Sequence, residues 1–405
     1  MIRLGIVGIG GRGHNFGAKS AVARQDMVLV AIADTNEPRA RVAREQLGAR
    51  FDIHSDYREL VARKDIDTVI IMSPDCTHAE IACAALESGK NIFVDKPLAT
   101  TAADALKIVA AWRRSGKVAY MGFNLRHNPV IHRMKKLLDA GHLGRVFQVI
   151  NAEWYSGGRT YMSRWNRLRR YSGGLWIHKG THDFDVLNWI VGGHPVRVAS
   201  FAGVETLKPE HLPVEVPEGQ TVGPYCATCA VRDRCPDRYV LPPAEEQWWS
   251  QDAMAVDGYR PDRCMYLSDK DTHDTGVAII EYDNGARATH WECFVCSFDT
   301  RRYAVTGDRG HLDADLAEMT IELRPRWSRD RITHRVAPVT GMHGGADPGM
   351  FEEFVRAVST GGQMTATLVD GVWSVAVGQA AEIARREGRV VQISEVLDAK
   401  SDLLA

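Results

Sequence analysis

The sequence has no long apolar run. Nowhere do about 18 hydrophobic residues follow one another, so no ordinary membrane-spanning helix is expected. It has almost no net charge: 50 Lys and Arg against 51 Asp and Glu leave −1, and no bulk field draws the chain to nucleic acid or an anionic membrane. It has no internal repeat and no low-complexity segment, which excludes solenoid and disordered architectures. Its N-terminus lacks the basic region, apolar core and small-residue cleavage site of a secretory signal. A cytoplasmic protein is therefore expected, with its eight cysteines reduced. What remains is the profile of a globular chain: 405 residues, 45% hydrophobic and 25% charged, long enough for two domains.

Over the first part of the chain, short Val- and Ile-rich runs at 28–33, 68–72, 91–94 and 118–122 alternate with helical patterns at 38–47, 78–87 and 101–115. Buried parallel strands read this way, so residues 1–123 predict a doubly wound parallel sheet. After a further helical pattern at 128–140 the texture changes. Longer alternating strands are predicted at 146–154, 196–204, 276–282 and 286–294, with shorter ones at 302–306 and 320–323. Asp283-Asn284-Gly285 is a hairpin signal between two of them. Helical patterns return at 350–359 and 372–387. Residues 124–405 thus predict an α+β domain with a large, mostly antiparallel sheet. An irregular, Cys-containing insertion is expected at about 206–271.

Gly8-Ile9-Gly10-Gly11-Arg12-Gly13 follows the first strand pattern, and Asp34 ends the second. Gly8 suits the tight turn, Gly10 the approach of the backbone to a pyrophosphate, and Gly13 close packing of helix on strand. The helix N-terminus beyond Gly11 and Arg12 would face the phosphates. Asp34 would accept hydrogen bonds from ribose hydroxyls and repel a 2′-phosphate, which favours NAD over NADP. Arg12 and Arg39 pull the other way. A Gly-rich turn without a ligand is the plainer alternative.

With Ser73-Pro74, Thr77-His78, Asp95-Lys96-Pro97 and the run Gly173-Gly174-Leu175-Trp176-Ile177-His178-Lys179-Gly180-Thr181-His182-Asp183-Phe184-Asp185, the whole chain resembles the glucose-fructose oxidoreductase/inositol dehydrogenase (Gfo/Idh/MocA) family. The resemblance implies an N-terminal Rossmann domain and hydride transfer between NAD and a sugar, polyol or glycoside. It places Ser73, Pro74, His78, Asp95 and Trp165 near the cofactor. It makes Lys96 the residue that touches the reacting hydroxyl and His182 the general base. The chemistry agrees, since hydride loss from an alcohol carbon needs loss of the hydroxyl proton and a cation near the developing alkoxide. His178 stands where the family has Asp, and Asp95 where it has Glu. His178 is a candidate second catalytic residue; two buried, hydrogen-bonded histidines are the plainer alternative.

Arginines and aromatics crowd the stretch before the paired glycines. Tyr155, Arg159, Arg164, Arg167 and Lys179, with Asn124 and Arg126 after the last parallel strand, are candidate substrate contacts. Arg forks suit carboxylate, sulfonate or phosphate groups, so an anionic substrate is one expectation. Two rivals to simple oxidation stay open. One is a redox-neutral glycosidase or lyase that passes through a transient 3-keto sugar; the other is a non-catalytic NAD-binding regulator. Cys226, Cys229, Cys235 and Cys264 in the insertion predict a structural zinc site, with an iron–sulfur cluster or unliganded thiols as alternatives. The open sheet predicts a homodimer or homotetramer.

Overall fold

A computed structural model describes residues 1–240, 242–243, 247, 249–398 and 401–404. Six parallel strands form the first sheet: β1 (Ile2–Val7), β2 (Met27–Ala33), β3 (Asp52–His54), β4 (Thr68–Ile71), β5 (Asn91–Asp95) and β6 (Ala119–Gly122), in the order β3-β2-β1-β4-β5-β6. β4 and β6 are buried at every position, as strands covered on both faces must be. The short, half-buried β3 carries no such run, and sequence reading missed it. The flanking helices start at side-chain caps. Asn36 accepts from Arg39 N before Glu37–Leu47, and Thr101 accepts from Asp104 N before Ala102–Ser115. The helical pattern after the Gly-rich loop is a wide turn, Gly13–Ala18, followed by Lys19–Val22.

The second sheet has nine strands: β7 (Val146–Trp154), β8 (Pro195–Gly203), β9 (Thr275–Tyr282), β10 (Arg287–Cys293), β11 (Thr300–Gly307), β12 (Gly310–Asp315), β13 (Thr320–Pro325), β14 (Ile332–Arg335) and β15 (Val391–Gln392). Their order is β14-β13-β12-β11-β7-β10-β9-β8-β15, and only β7 and β10 pair in parallel. The Asp283-Asn284-Gly285 turn joins β9 to β10, with Gly285 at φ 81°. Helices Thr181–Val191 and Leu368–Glu387 cover one face through Val186, Leu187, Val372 and Ala376. The other face leaves Ile150, Phe201, Ile279 and Trp291 exposed.

Two long-range attachments shape the site. Helix Ala346–Thr360 returns to the first sheet, where Phe351 and Phe354 pack on Phe16, Phe93 and Tyr120. The insertion, whose one helix of more than a turn among the described residues is Gln251–Asp257, reaches the segment after β2. There Asn36 Nδ2 donates to Ala253 O at 2.7 Å and Arg39 pairs with Asp257.

Candidate active site

The carboxyl ends of β1, β2, β4 and β5 meet where the strand order reverses on either side of β1. Gly8 has φ 90°, and a Cβ there would lie 2.5 Å from Ser73 N. A Cβ on Gly13 would lie 2.0 Å from Gly8 O. No atom lies within 4 Å of a Cβ built on Gly10, so the loop keeps room on that side for a phosphate. The chain turns helical at Gly11 and offers its first-turn N–H groups there. Asp34 accepts Ile9 N and Asn36 N, each at 2.8 Å. Burial raises its pKa, and Arg39 at 3.5 Å opposes the rise. Because Arg39 is paired with Asp34 and Asp257, it is not poised for a 2′-phosphate. The residues present thus fit NAD. The guanidinium of Arg12 binds Asp347 at 2.6 Å and Asp95 at 3.1 Å, while its backbone stays in the phosphate loop.

Lys96 follows β5, and its Nζ donates to His178 O at 2.7 Å. Burial lowers its pKa to about 8, with Asp75 and Asp95 opposing. His182 lies in the first turn of Thr181–Val191. Its ring has no hydrogen-bond partner among the described residues, and Nδ1 is buried. Burial and then Lys96, Lys179 and Arg301 hold its pKa well below 6.5, so it is a neutral base. His178 departs from its expected role. Its Nδ1 meets Asp75 Oδ2 at 2.6 Å and its Nε2 meets Asn166 Nδ2 at 3.1 Å, so Nδ1–H donates and Nε2 accepts. Both ring nitrogens are engaged, and its carbonyl holds Lys96. Trp165 packs edge-on against its ring at 5.3 Å.

The loop after β4 is fixed by Ser73 Oγ and Thr77 Oγ1 at 2.6 Å, with the side chain of Pro74 exposed. His78, expected at the cofactor, is instead buried between two carbonyls, Pro97 O at 2.7 Å and Ser73 O at 3.0 Å. It braces the two loops that carry Ser73 and Lys96.

Several of the expected substrate contacts have partners within the chain. Arg126 is buried, clasped by Asp185 at 2.6 Å and Asp370 at 3.0 Å over the Trp189 ring. Arg159 donates to the carbonyls of Arg263 and Asp237. Arg167 pairs with Asp269 at 2.7 Å. Asn124 donates to Asp347 Oδ1 at 2.8 Å. Lys179 is ion-paired to Glu153 at 2.9 Å beneath the rings of Tyr155 and Tyr161. Arg164 is exposed.

Below Lys179 lies a buried charge cluster. Arg301 joins Glu153 at 2.6 Å to Asp183 at 3.0 Å. His290 and His273 flank Glu292. Burial opposes a charged His290, but Asp183 and Glu292 outweigh it and raise its pKa. The carboxylates Glu153, Asp183 and Glu292 thus face Lys179, Arg301 and the imidazoles of His273 and His290. Glu153, His290 and Glu292 bring ligand atoms within 4.8 Å of one another.

Sequence reading missed Asp75, which burial pushes up to about 7 against Lys96 and His78. The signal was an acid directly after Ser73-Pro74. It also missed His343, which stands at φ 54° in a glycine-rich turn. Its Nδ1 lies 2.9 Å from buried Asp347, and its own ring is half exposed. Here the signal was a second paired-glycine run, Gly344-Gly345-Ala346-Asp347, opening a helix. The four insertion cysteines lie apart from this site, around a cavity of their own.

Comparison with known proteins agrees with this geometry. Residues 2–123 match the family model described as oxidoreductase family, NAD-binding Rossmann fold. Residues 135–393 match the oxidoreductase family, C-terminal alpha/beta domain. The chain is 29% identical over 347 residues to the putative oxidoreductase YteT of Bacillus subtilis (strain 168), covering 80% of each. It is 30% identical over 192 residues to inositol 2-dehydrogenase of Salmonella typhimurium (strain LT2), spanning 47% of this chain and 54% of that one. Among solved structures, levoglucosan dehydrogenase with NADH and levoglucosan superposes with TM-score 0.72 at 18% identity, over 97% of this chain and 99% of that one. GenD2 from gentamicin A biosynthesis, in complex with NAD, superposes with TM-score 0.69 at 22% identity, over 96% of both.

Proposed function

Since the chain belongs to the Gfo/Idh/MocA oxidoreductase family and is an NAD-binding oxidoreductase, we propose that it oxidises one hydroxyl of an uncharged sugar or polyol. The observation that carries this reading is the neutral, unpartnered ring of His182 within the field of the Lys96 ammonium. His182 takes the hydroxyl proton. Lys96, held by the His178 carbonyl, donates to the same oxygen and stabilises the alkoxide as it forms. NAD, when bound, accepts the hydride. Asp34 takes the ribose hydroxyls, and Asp75 steadies Lys96 through His178. The substrate is read as uncharged because Arg126, Arg159, Arg167 and Lys179 all have partners within the chain. The non-catalytic reading is not kept, because the family is one of oxidoreductases.

A second reading, redox-neutral glycoside cleavage, rests on His343. Oriented by Asp347, it adds a second imidazole in electrostatic reach of His182. Elimination from a 3-keto sugar needs such an extra base. Incubation with NAD and a panel of sugars, polyols, uronates and aryl glycosides separates the two. NADH that grows in proportion to product supports oxidation. NAD-dependent aglycone release without net NADH supports cleavage. Turnover of uronates alone would overturn the uncharged substrate.

The two titrating groups also set a pH profile. His182 must be neutral, so kcat/KM rises with pH through a pKa below its ordinary 6.5. Lys96 must be charged, so kcat/KM falls as pH passes about 8. A profile still climbing well above that pH would remove Lys96 from its role. The exposed apolar face of Ile150, Phe201, Ile279 and Trp291 suits a second copy of the chain, and the eight free thiols suit a reducing cytoplasm.

A further inference from the structure

The insertion is poor in the means of holding itself together. Between residues 206 and 271 the described chain has one helix of seven residues and a few single turns, and the small apolar cluster it joins borrows Tyr161, Leu175 and Phe294 from the body of the protein. Yet its four cysteines, spread over 39 residues of sequence, meet around one cavity of about 20 Å³. That is room for about one water-sized sphere.

The backbone brings them there. Tyr225 and Arg263 form an isolated antiparallel bridge. Around it, Cys226 N donates to Asp262 O and Cys264 N to Pro224 O, both at 2.8 Å, which places these two cysteines side by side. The turn Cys226–Thr228 carries Cys229 to the same wall, and Cys235 closes a second turn onto Arg232 O. Buried Asp262 pins the first turn by accepting Ala227 N at 3.0 Å. Cys226 Sγ accepts the N–H of Tyr239 at 3.2 Å, a bond that favours sulfur carrying negative charge. All four are free thiols, partly buried. No three of their sulfurs lie within 4.8 Å of one another, so a tetrahedral set around one ion requires the turns to close inward.

We infer that Cys226, Cys229, Cys235 and Cys264 bind one structural zinc ion that staples the insertion against the wall of the active site. Four sulfurs lining one cavity from separate turns supply the four ligands of a closed tetrahedral zinc site once the turns draw together. Each thiol releases its proton to the medium on binding, and no electron moves. The stapled turns hold the active-site wall directly. The carbonyl of Arg263, next to Cys264, accepts from Arg159 and from Ser163 Oγ at 2.9 Å, and the Asp237 carbonyl accepts from Arg159. That segment continues into Trp165 and Asn166, which touch His178.

The test is metal analysis of the full chain after dialysis and does not depend on any substrate. The expected result is about one zinc per chain, falling at least tenfold in Cys226→Ser and in Cys264→Ser, with a lower melting temperature in both. Should those variants not fold, cadmium added to the metal-stripped wild type reads the same site, through an ultraviolet sulfur-to-cadmium band of four-thiolate strength. Zinc near zero after reloading under reducing conditions overturns the inference. So do iron and sulfide with visible absorption, or thiol titration showing that these cysteines are paired as disulfides.

Discussion

Lys96→Ala lowers kcat by about a thousandfold, the scale set by removing one donor from a developing oxyanion. The substitution removes the buried ammonium that donates to His178 O and faces the acids Asp75 and Asp95. It also lifts one of the charges that hold the His182 pKa down. The lost catalysis should therefore come with an acid limb of the pH profile moved upward, a change that misfolding does not produce. Lys96→Arg keeps the charge but not the compact ammonium, and should recover little. Single-turnover rates with saturating NAD make the measurement, with melting temperature as the control. Activity within tenfold of wild type would take Lys96 away from the reacting hydroxyl.

Arg126→Ala destabilises the fold by about 3–5 kcal/mol, the usual cost of leaving a buried charge without its partner. Asp185 lies almost wholly inside the protein, and burial raises its carboxyl to about 6 even with Arg126 opposing. Without the guanidinium it must either ionise unpaired or take up a proton, and each route penalises the native state. Asp370 and the Thr365 carbonyl lose the same donor. Urea denaturation of both proteins measures the difference. Whatever folded enzyme remains should keep its KM. Unchanged stability with a KM raised tenfold would return Arg126 to the substrate.

Arg126 illustrates where sequence reading stops. It follows a parallel strand at the mouth of the cleft, where a ligand-facing side chain is expected. Its partners lie 59 and 244 positions away, and nothing in local pattern announces them. The same holds for Arg167 with Asp269 and for Lys179 with Glu153. A cluster of cations in sequence looked like an anion site; in the fold Arg126, Arg159, Arg167 and Lys179 each have a partner within the chain, while Arg164 is exposed. Asp75 was passed over for the opposite reason. It is an ordinary acid after Ser-Pro until Lys96 and His178 arrive beside it.

The sequence by itself determined the two-sheet architecture and the Gly-rich turn with Asp34 opposite it, while its resemblance to the family made Lys96 and His182 the residues to watch. Those features are written in short spacings: period-two and buried-strand patterns, glycines where a Cβ would meet backbone, and motifs whose parts lie within one turn or loop. Only the tertiary structure decided which polar groups were free. It turned His178 into a support for Lys96, sealed Lys179 under two tyrosines, and brought His343 from the far end of the chain towards His182. The reason is physical. A side chain's local pattern fixes its element and face, but its charge state and its availability depend on burial and on partners that only folding brings within reach.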